Sequence, residues 1–200
     1  MAEAHEQLEH AEHAEHASHE NRKIALLIAV LALFLSFSET LGKSAQTEAI
    51  SANVESSNLW AFFQAKTVRM TLVKTAAEEL KLEAAVAGDP TAKSAMDKQI
   101  EAWGKTAARY ESEPDTREGR KELAERAKEA EESRDLALAK YHHYELASAA
   151  FQIGIVLASA AVITSAIALA WLSGALGVVG LAIMGFGLYA PHALDLGHLL

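Results

Sequence analysis

The chain contains no cysteine, which excludes a disulfide framework, a thiolate metal site and a cysteine nucleophile. Proline occurs three times in 200 residues, and aromatic residues make up 6%. With so few helix breakers, and with Ala, Leu, Glu and Lys abundant, long helices are favoured over sheets. The period-2 alternation of β-branched and aromatic residues that marks a half-buried strand is missing as well. No basic patch is present. Formal net charge is −9; residues 1–23 set six Glu against Arg22 and Lys23, and residues 42–149 set 19 acids against 16 bases. Nucleic-acid binding therefore has no electrostatic footprint. A phosphate-cradling glycine loop, a G-x-S-x-G elbow and an isolated acid pair in apolar surroundings are also lacking, so no enzymatic activity is expected.

What the chain does have is an uneven distribution of polarity. Mean hydropathy is +0.06, yet apolar runs lie towards the two ends and nearly all the charge lies between them. The first run is Ile24 to Phe37, extendable to Leu41, and predicts a transmembrane helix over 24–41 at the short end of what crosses a hydrocarbon core. A signal peptide is the competing reading, since Arg22-Lys23 precede the run and small Ser36 and Ser38 at its end resemble a cleavage site. The acidic tail ahead of it favours a retained anchor. The second run, 146–172, carries no formal charge over its length, and the third, 175–190, ends at Tyr189 and Pro191. With a tight turn at Ser173-Gly174 the two read as a membrane hairpin, Trp171 and Tyr189 suiting the interface. The fold expected is all-α: an integral membrane protein with three transmembrane helices and a long soluble helical hairpin, coiled-coil-like, inserted over 42–145.

Within the insert, Leu59, Phe63, Met70, Val73, Ala77, Leu80, Ala84 and Ala87 fall on alternating four- and three-residue spacings, interrupted by Lys66. This is the pattern of a helix that packs along another helix. Gly88-Asp89-Pro90 predicts its end, with Asp89 capping a second helix over 91–112. Glu113-Pro114-Asp115 predicts a second break, Asp115 capping a third helix from about Thr116 that runs on into the second apolar run. Gly154, Ala158, Gly177 and Gly180 are the small residues expected to let helices or subunits approach closely in the membrane. Trp60, Phe62 and Phe63, followed by Lys66 and Arg69, suit either core packing or a membrane-surface contact.

Three clusters carry ligand or proton chemistry. In the tail, 1–23, Glu6, Glu9, Glu12 and Glu15 stand four residues before His10, His13, His16 and His19. On a helix these imidazoles can hold zinc or nickel, or the Glu–His pairs simply solubilise the tail. His142, His143 and Glu145 sit where the second run begins, with Gln152 deeper, and can serve either as interfacial polar groups or as an ion or proton path. In 191–200, His192, Asp195 and His198 have ligand types at one-turn spacing but drift around a helix, so a polar interfacial end is expected. Basic residues near the span ends favour the soluble insert on the cytoplasmic side.

Two stretches carry a resemblance. Residues 43–50, Lys-Ser-Ala-Gln-Thr-Glu-Ala-Ile, lead to Asn58-Leu59-Trp60-Ala61-Phe62-Phe63-Gln64-Ala65-Lys66, and Tyr141-His142-His143-Tyr144-Glu145-Leu146 precedes 152–159, Gln-Ile-Gly-Ile-Val-Leu-Ala-Ser. The chain beyond its tail resembles the bacterial membrane-protein family of domain of unknown function 4337. The resemblance implies a multi-pass protein of the bacterial inner membrane and brings no activity, ligand or catalytic residue. The reading that follows is a non-enzymatic homo-oligomeric membrane scaffold. Its alternatives are a channel or ion-handling protein using His142, Glu145 and Gln152, and a metal- or pH-responsive sensor using the tail. Beyond the lipid bilayer and a second copy, the sequence names no partner.

Overall fold

A computed structural model describes residues 21–191 in full and residues 2–20 by the course of their backbone. It contains four helices: α1 (Ala2–Val86), α2 (Pro90–Glu111), α3 (Arg120–Thr164) and α4 (Ile167–Tyr189), with no strand among the described residues. The prolines explain much of this plan, because each stands at a helix boundary: Pro90 opens α2, Pro114 lies between α2 and α3, and Pro191 follows α4. Pro suits the first turn, where its missing N–H costs nothing. Nothing in α1 before Gly88 interrupts the backbone ladder, so the first apolar run and the insert's first helix belong to one element. Three helices, α1, α3 and α4, are long and apolar enough to cross a membrane.

The chain divides into two compact units, Met1–Glu48 with Leu136–Leu200, and Ala49–Asp135. In the first, α1 and α3 run antiparallel: Ile24 packs with Ala158 and Ala161, and Leu31 packs with Ala147 and Phe151. Further along, the buried Ser38 hydroxyl donates to the Tyr144 carbonyl at 2.8 Å. α4 folds back along α3. Its Ser173 hydroxyl donates to the Gly154 carbonyl at 2.7 Å, and Gly180 and Gly187 face Phe151 and His143. Phe34 and Phe151 stack with ring centres 6.1 Å apart inside this packing.

In the second unit, α1 meets α2 and α3. Leu59 packs on Leu123, Ala127 and Ala130, with Trp60, Phe62 and Phe63 around the cluster. The Asp89 carboxylate accepts the Thr91 N–H at 2.9 Å, capping α2 as its position after Gly88 predicts.

Two boundaries differ from the sequence reading. The turn of the membrane hairpin is at Ser165-Ala166, with Ser165 in the left-handed region at φ 55°, so the apolar helices end at Thr164 and restart at Ile167. Ser173 and Gly174 lie inside α4, because a serine whose hydroxyl finds a carbonyl on a neighbouring helix has no need of a turn. The third apolar helix is accordingly 23 residues long. The second difference concerns α3, which begins at Arg120 and not near Thr116. Residues 114–117 turn, Arg117 adopting φ 55°, and Gly119 lies so close to the Ser112 backbone that a Cβ there would stand 2.6 Å from its Cα. In place of an Asp115 cap, the Glu122 carboxylate reaches back to the end of α2. It accepts the Ser112 hydroxyl at 2.5 Å and the Glu113 N–H at 3.2 Å.

Candidate functional site

A cleft of about 390 Å³ with polar walls lies between α1 and α3 in the unit that holds the apolar helices. From α1, Ser38, Glu39, Gly42, Lys43 and Gln46 line one wall; from α3, Tyr141, Tyr144, Glu145, Ser148 and Gln152 line the other. Helical spacing explains the grouping, since residues three and four apart share a face. Gly42 admits the close approach: a Cβ there would stand 3.4 Å from the Tyr144 Cβ.

Gln152 turns towards α1, where its Nε2 donates to Glu39 Oε1 at 3.4 Å. Glu145 accepts the Tyr141 hydroxyl at 3.3 Å and stands 3.8 Å from Nδ1 of His142. Of the three polar residues expected at this end, Glu145 and Gln152 thus line the cleft, and His142 flanks it through Glu145. Sequence reasoning passed over Glu39, although it was visible as the one formal charge in 24–41.

His143 lies elsewhere. It is 1% exposed and faces α4, Nδ1 bonded to the Ala139 carbonyl at 2.7 Å and its Cβ beside Gly187. That bond fixes Nδ1 as the donor, and the buried Nε2 has no hydrogen-bond partner.

The small residues act within the chain. Gly154 and Gly177 both accommodate Leu31, Gly180 accommodates the Phe151 ring, and Ala158 packs with Ile24 and Ala161. The insert's heptad-like seam is likewise turned inward. Leu59 and Met70 are buried, while Phe63, Val73 and Leu80 are half-buried. Val73 borders a hollow of about 380 Å³ with Ile100, Trp103 and Ala107 of α2.

Lys66, the interruption of that seam, is itself buried at 6% exposure. Its ammonium lies 5.3 Å from the Phe62 ring centre and 5.4 Å from that of Tyr110. Glu113 and Glu118 stand 3.8 and 3.7 Å away. Arg120 supports the same corner. It donates to Thr67 Oγ1 at 2.8 Å and Glu111 at 2.7 Å, with its guanidinium 4.9 Å from the Phe63 ring centre. Such cation–ring contacts each contribute about 0.5–2 kcal/mol. Trp60 is held by its indole N–H, which donates to Glu131 at 2.8 Å.

The metal-binding expectation at His10, His13, His16 and His19 concerns side chains outside the described residues, as does that for His192, Asp195 and His198. Among the described residues, no group of three or more His, Asp or Glu is placed to hold a metal ion.

The chain matches a protein family, described as Domain of unknown function (DUF4337), over residues 20–190. No curated protein and no solved structure matches it.

Proposed function

The chain belongs to the family of the domain of unknown function DUF4337, a membership that carries no activity with it, and from there we propose a non-enzymatic membrane scaffold that assembles with copies of itself. In this reading the three apolar helices cross the cytoplasmic membrane, and residues 49–135 form a water-soluble helical unit. Support for the crossing comes from side chains that a watery surface would not retain. Leu26, Leu33 and Phe37 on α1, Ile153, Val156 and Ile163 on α3, and Val178, Val179 and Leu188 on α4 are all exposed.

The observation that carries the assembly is a second apolar stripe on α1. The first, through Leu59 and Met70, is used up against α2 and α3. On the opposite side of the same helix Ile50, Val54, Val68, Leu72, Leu82 and Val86 are exposed by 53–84%. Ala61 and Ala65 continue the stripe, and Ser57, Gln64, Thr75, Glu79 and Glu83 interrupt it. It runs from Ile50 to Val86, about 54 Å of helix, a recurrence on one face where monomers usually show singly scattered apolar residues. A second copy fits it better than an unrelated protein. Copies in one bilayer share an orientation and a high local concentration, and exposed aliphatic side chains on one helix face can pair with the same face of a second copy.

The test is the mass of the detergent-solubilised protein by light scattering after size exclusion, corrected for bound detergent. A discrete oligomer that Val68→Asp with Leu72→Asp converts to a helical monomer supports the assembly. A wild-type monomer overturns it. Polar substitution of Leu59 or Phe63 is expected to unfold the soluble unit instead of dissociating it.

A further inference from the structure

We infer that the cleft between α1 and α3 binds the headgroup of an ethanolamine phospholipid, with Lys43 receiving the phosphate and Glu39 and Glu145 the ammonium. The inference rests on the membrane-spanning part of the reading above and adds a ligand to it.

Depth comes first. Trp171 and Tyr189 on α4 are 78% and 91% exposed, 18 residues apart. That separation is about 27 Å of helix, close to the thickness of a hydrocarbon core, and exposed aromatics at both ends of a span mark its two interfaces. α4 lies antiparallel to α3, with Gly187 against His143 and Tyr144, while Gly42 brings α1 to the same level. The Tyr189 interface therefore passes near the mouth of the cleft. Its polar walls lie where headgroups lie.

Charge comes second. The cleft offers one base, Lys43, and two acids, Glu39 and Glu145. An anionic headgroup would satisfy the lysine and leave both carboxylates facing like charge. A choline headgroup supplies the positive charge but no N–H donor. Ethanolamine supplies both, and a phosphate to its side. Glu39 lies one turn to the membrane side of Lys43, where a carboxylate needs a partner. The 3.4 Å hydrogen bond from Gln152 orients it without neutralising it. The volume, about 390 Å³, suits a small polar group and is far too large for a bare ion.

Chain placement comes third. One to two turns deeper on the same walls, the polar residues give way to half-buried Leu35 and Ile155 and exposed Val156. Acyl chains leaving the cleft would lie along them.

The experiment is native mass spectrometry of the full, delipidated chain, with ethanolamine, choline and glycerol phospholipids of identical acyl chains, and with soluble phosphoethanolamine. Ethanolamine lipid should bind about tenfold tighter than the other two, the worth of one charge-assisted hydrogen bond. Glu39→Gln and Glu145→Gln should each remove that preference, Lys43→Gln should weaken all three lipids alike, and Glu101→Gln, in the soluble unit, should do neither. Glu145→Gln, at an exposed position, keeps the test decisive where Glu39→Gln fails to fold. Equal binding of the three lipids, or an unchanged preference in the two glutamate variants, overturns the site. Phosphoethanolamine binding as tightly as the lipid overturns the lipid as source. Alkaline carbonate extraction separates the two levels. A protein released from membranes overturns the spanning reading and this site together, whereas a retained protein that does not discriminate headgroups overturns the site alone.

Discussion

Gly180 lies against Phe151 so closely that a Cβ on the glycine would stand 2.8 Å from the phenylalanine Cε1. Gly177 meets Leu31 in the same way, at 2.7 Å from Cδ2. Gly174 and Gly185, on the same helix, meet nothing within 4 Å. Leucine at 177 or 180 should thus destabilise the three-helix unit by about 1–3 kcal/mol through overpacking. Alanine at 174 or 185 should leave it unchanged or slightly firmer. Thermal unfolding in detergent, followed by circular dichroism, separates the two pairs; equal effects would mean that α4 does not pack on α3 through this face.

Lys66 gives a second expectation. Its stem and ammonium fill the space between Phe62 and Tyr110, so Lys66→Ala removes both packing and a cation held by two rings. The loss should be about 1–3 kcal/mol. Lys66→Met keeps most of the stem's packing and should cost less. Partly exposed Glu113 and Glu118 can turn to water once the lysine is gone, so no large penalty from stranded carboxylates is added. Denaturant unfolding of the two variants measures the difference.

Acid should weaken the join between α2 and α3. The Ser112 hydroxyl foremost, with the backbone N–H groups of Glu122 and Glu113, holds the Glu122 carboxyl below the usual glutamate range. A depressed folded value means that the contribution is complete above the unfolded value, about 4.3, and is lost as pH falls through the folded one. Melting temperature should decline below about pH 4.3. Glu122→Gln should lower stability at neutral pH and flatten that decline. A melting profile identical in the variant would remove Glu122 from the account.

The tail supplies a chemical prediction. With His10, His13, His16 and His19 at three-residue spacing, calorimetric titration of the full chain should show stoichiometric zinc uptake that disappears when residues 1–20 are removed. Uptake that survives the truncation would assign the metal to other residues.

Much of this architecture was legible in residue order. The Gly88-Asp89-Pro90 step fixed where α1 ends and α2 begins, and Pro114 and Pro191 mark the ends of α2 and α4, because backbone chemistry acts locally. The hairpin turn was not legible. Ser165 occupies a left-handed conformation without a glycine or proline to announce it, while the Ser-Gly pair that does suggest a turn is absorbed into α4 by a bond to Gly154. The seam through Leu59 was readable as a helix–helix contact, but spacing is silent on whether the partner belongs to the same chain. Here Leu123 and Ala127 supply it. Lys66 looked like a defect in that seam for a related reason: its aromatic partner Tyr110 is 44 residues away in sequence. Glu39 was the opposite case, plain in the sequence and unremarkable until Gln152 was seen beside it.

On the proposed membrane-spanning reading, the spacing of Trp171 and Tyr189 has a consequence for where the protein resides. A span pinned at both ends by exposed rings about 27 Å apart sets a preferred bilayer thickness. α1 and α3 continue beyond the interface as helices and can tilt or slide to suit a thicker membrane. α4 has less room to adjust, since it stops at Tyr189 and only Ile167 to Ala170 precede Trp171. In a thick bilayer the lipids beside α4 must compress, each ångström of mismatch costing a fraction of a kcal/mol. That cost acts as a sorting force, drawing the protein towards the thinner regions of any membrane of uneven composition.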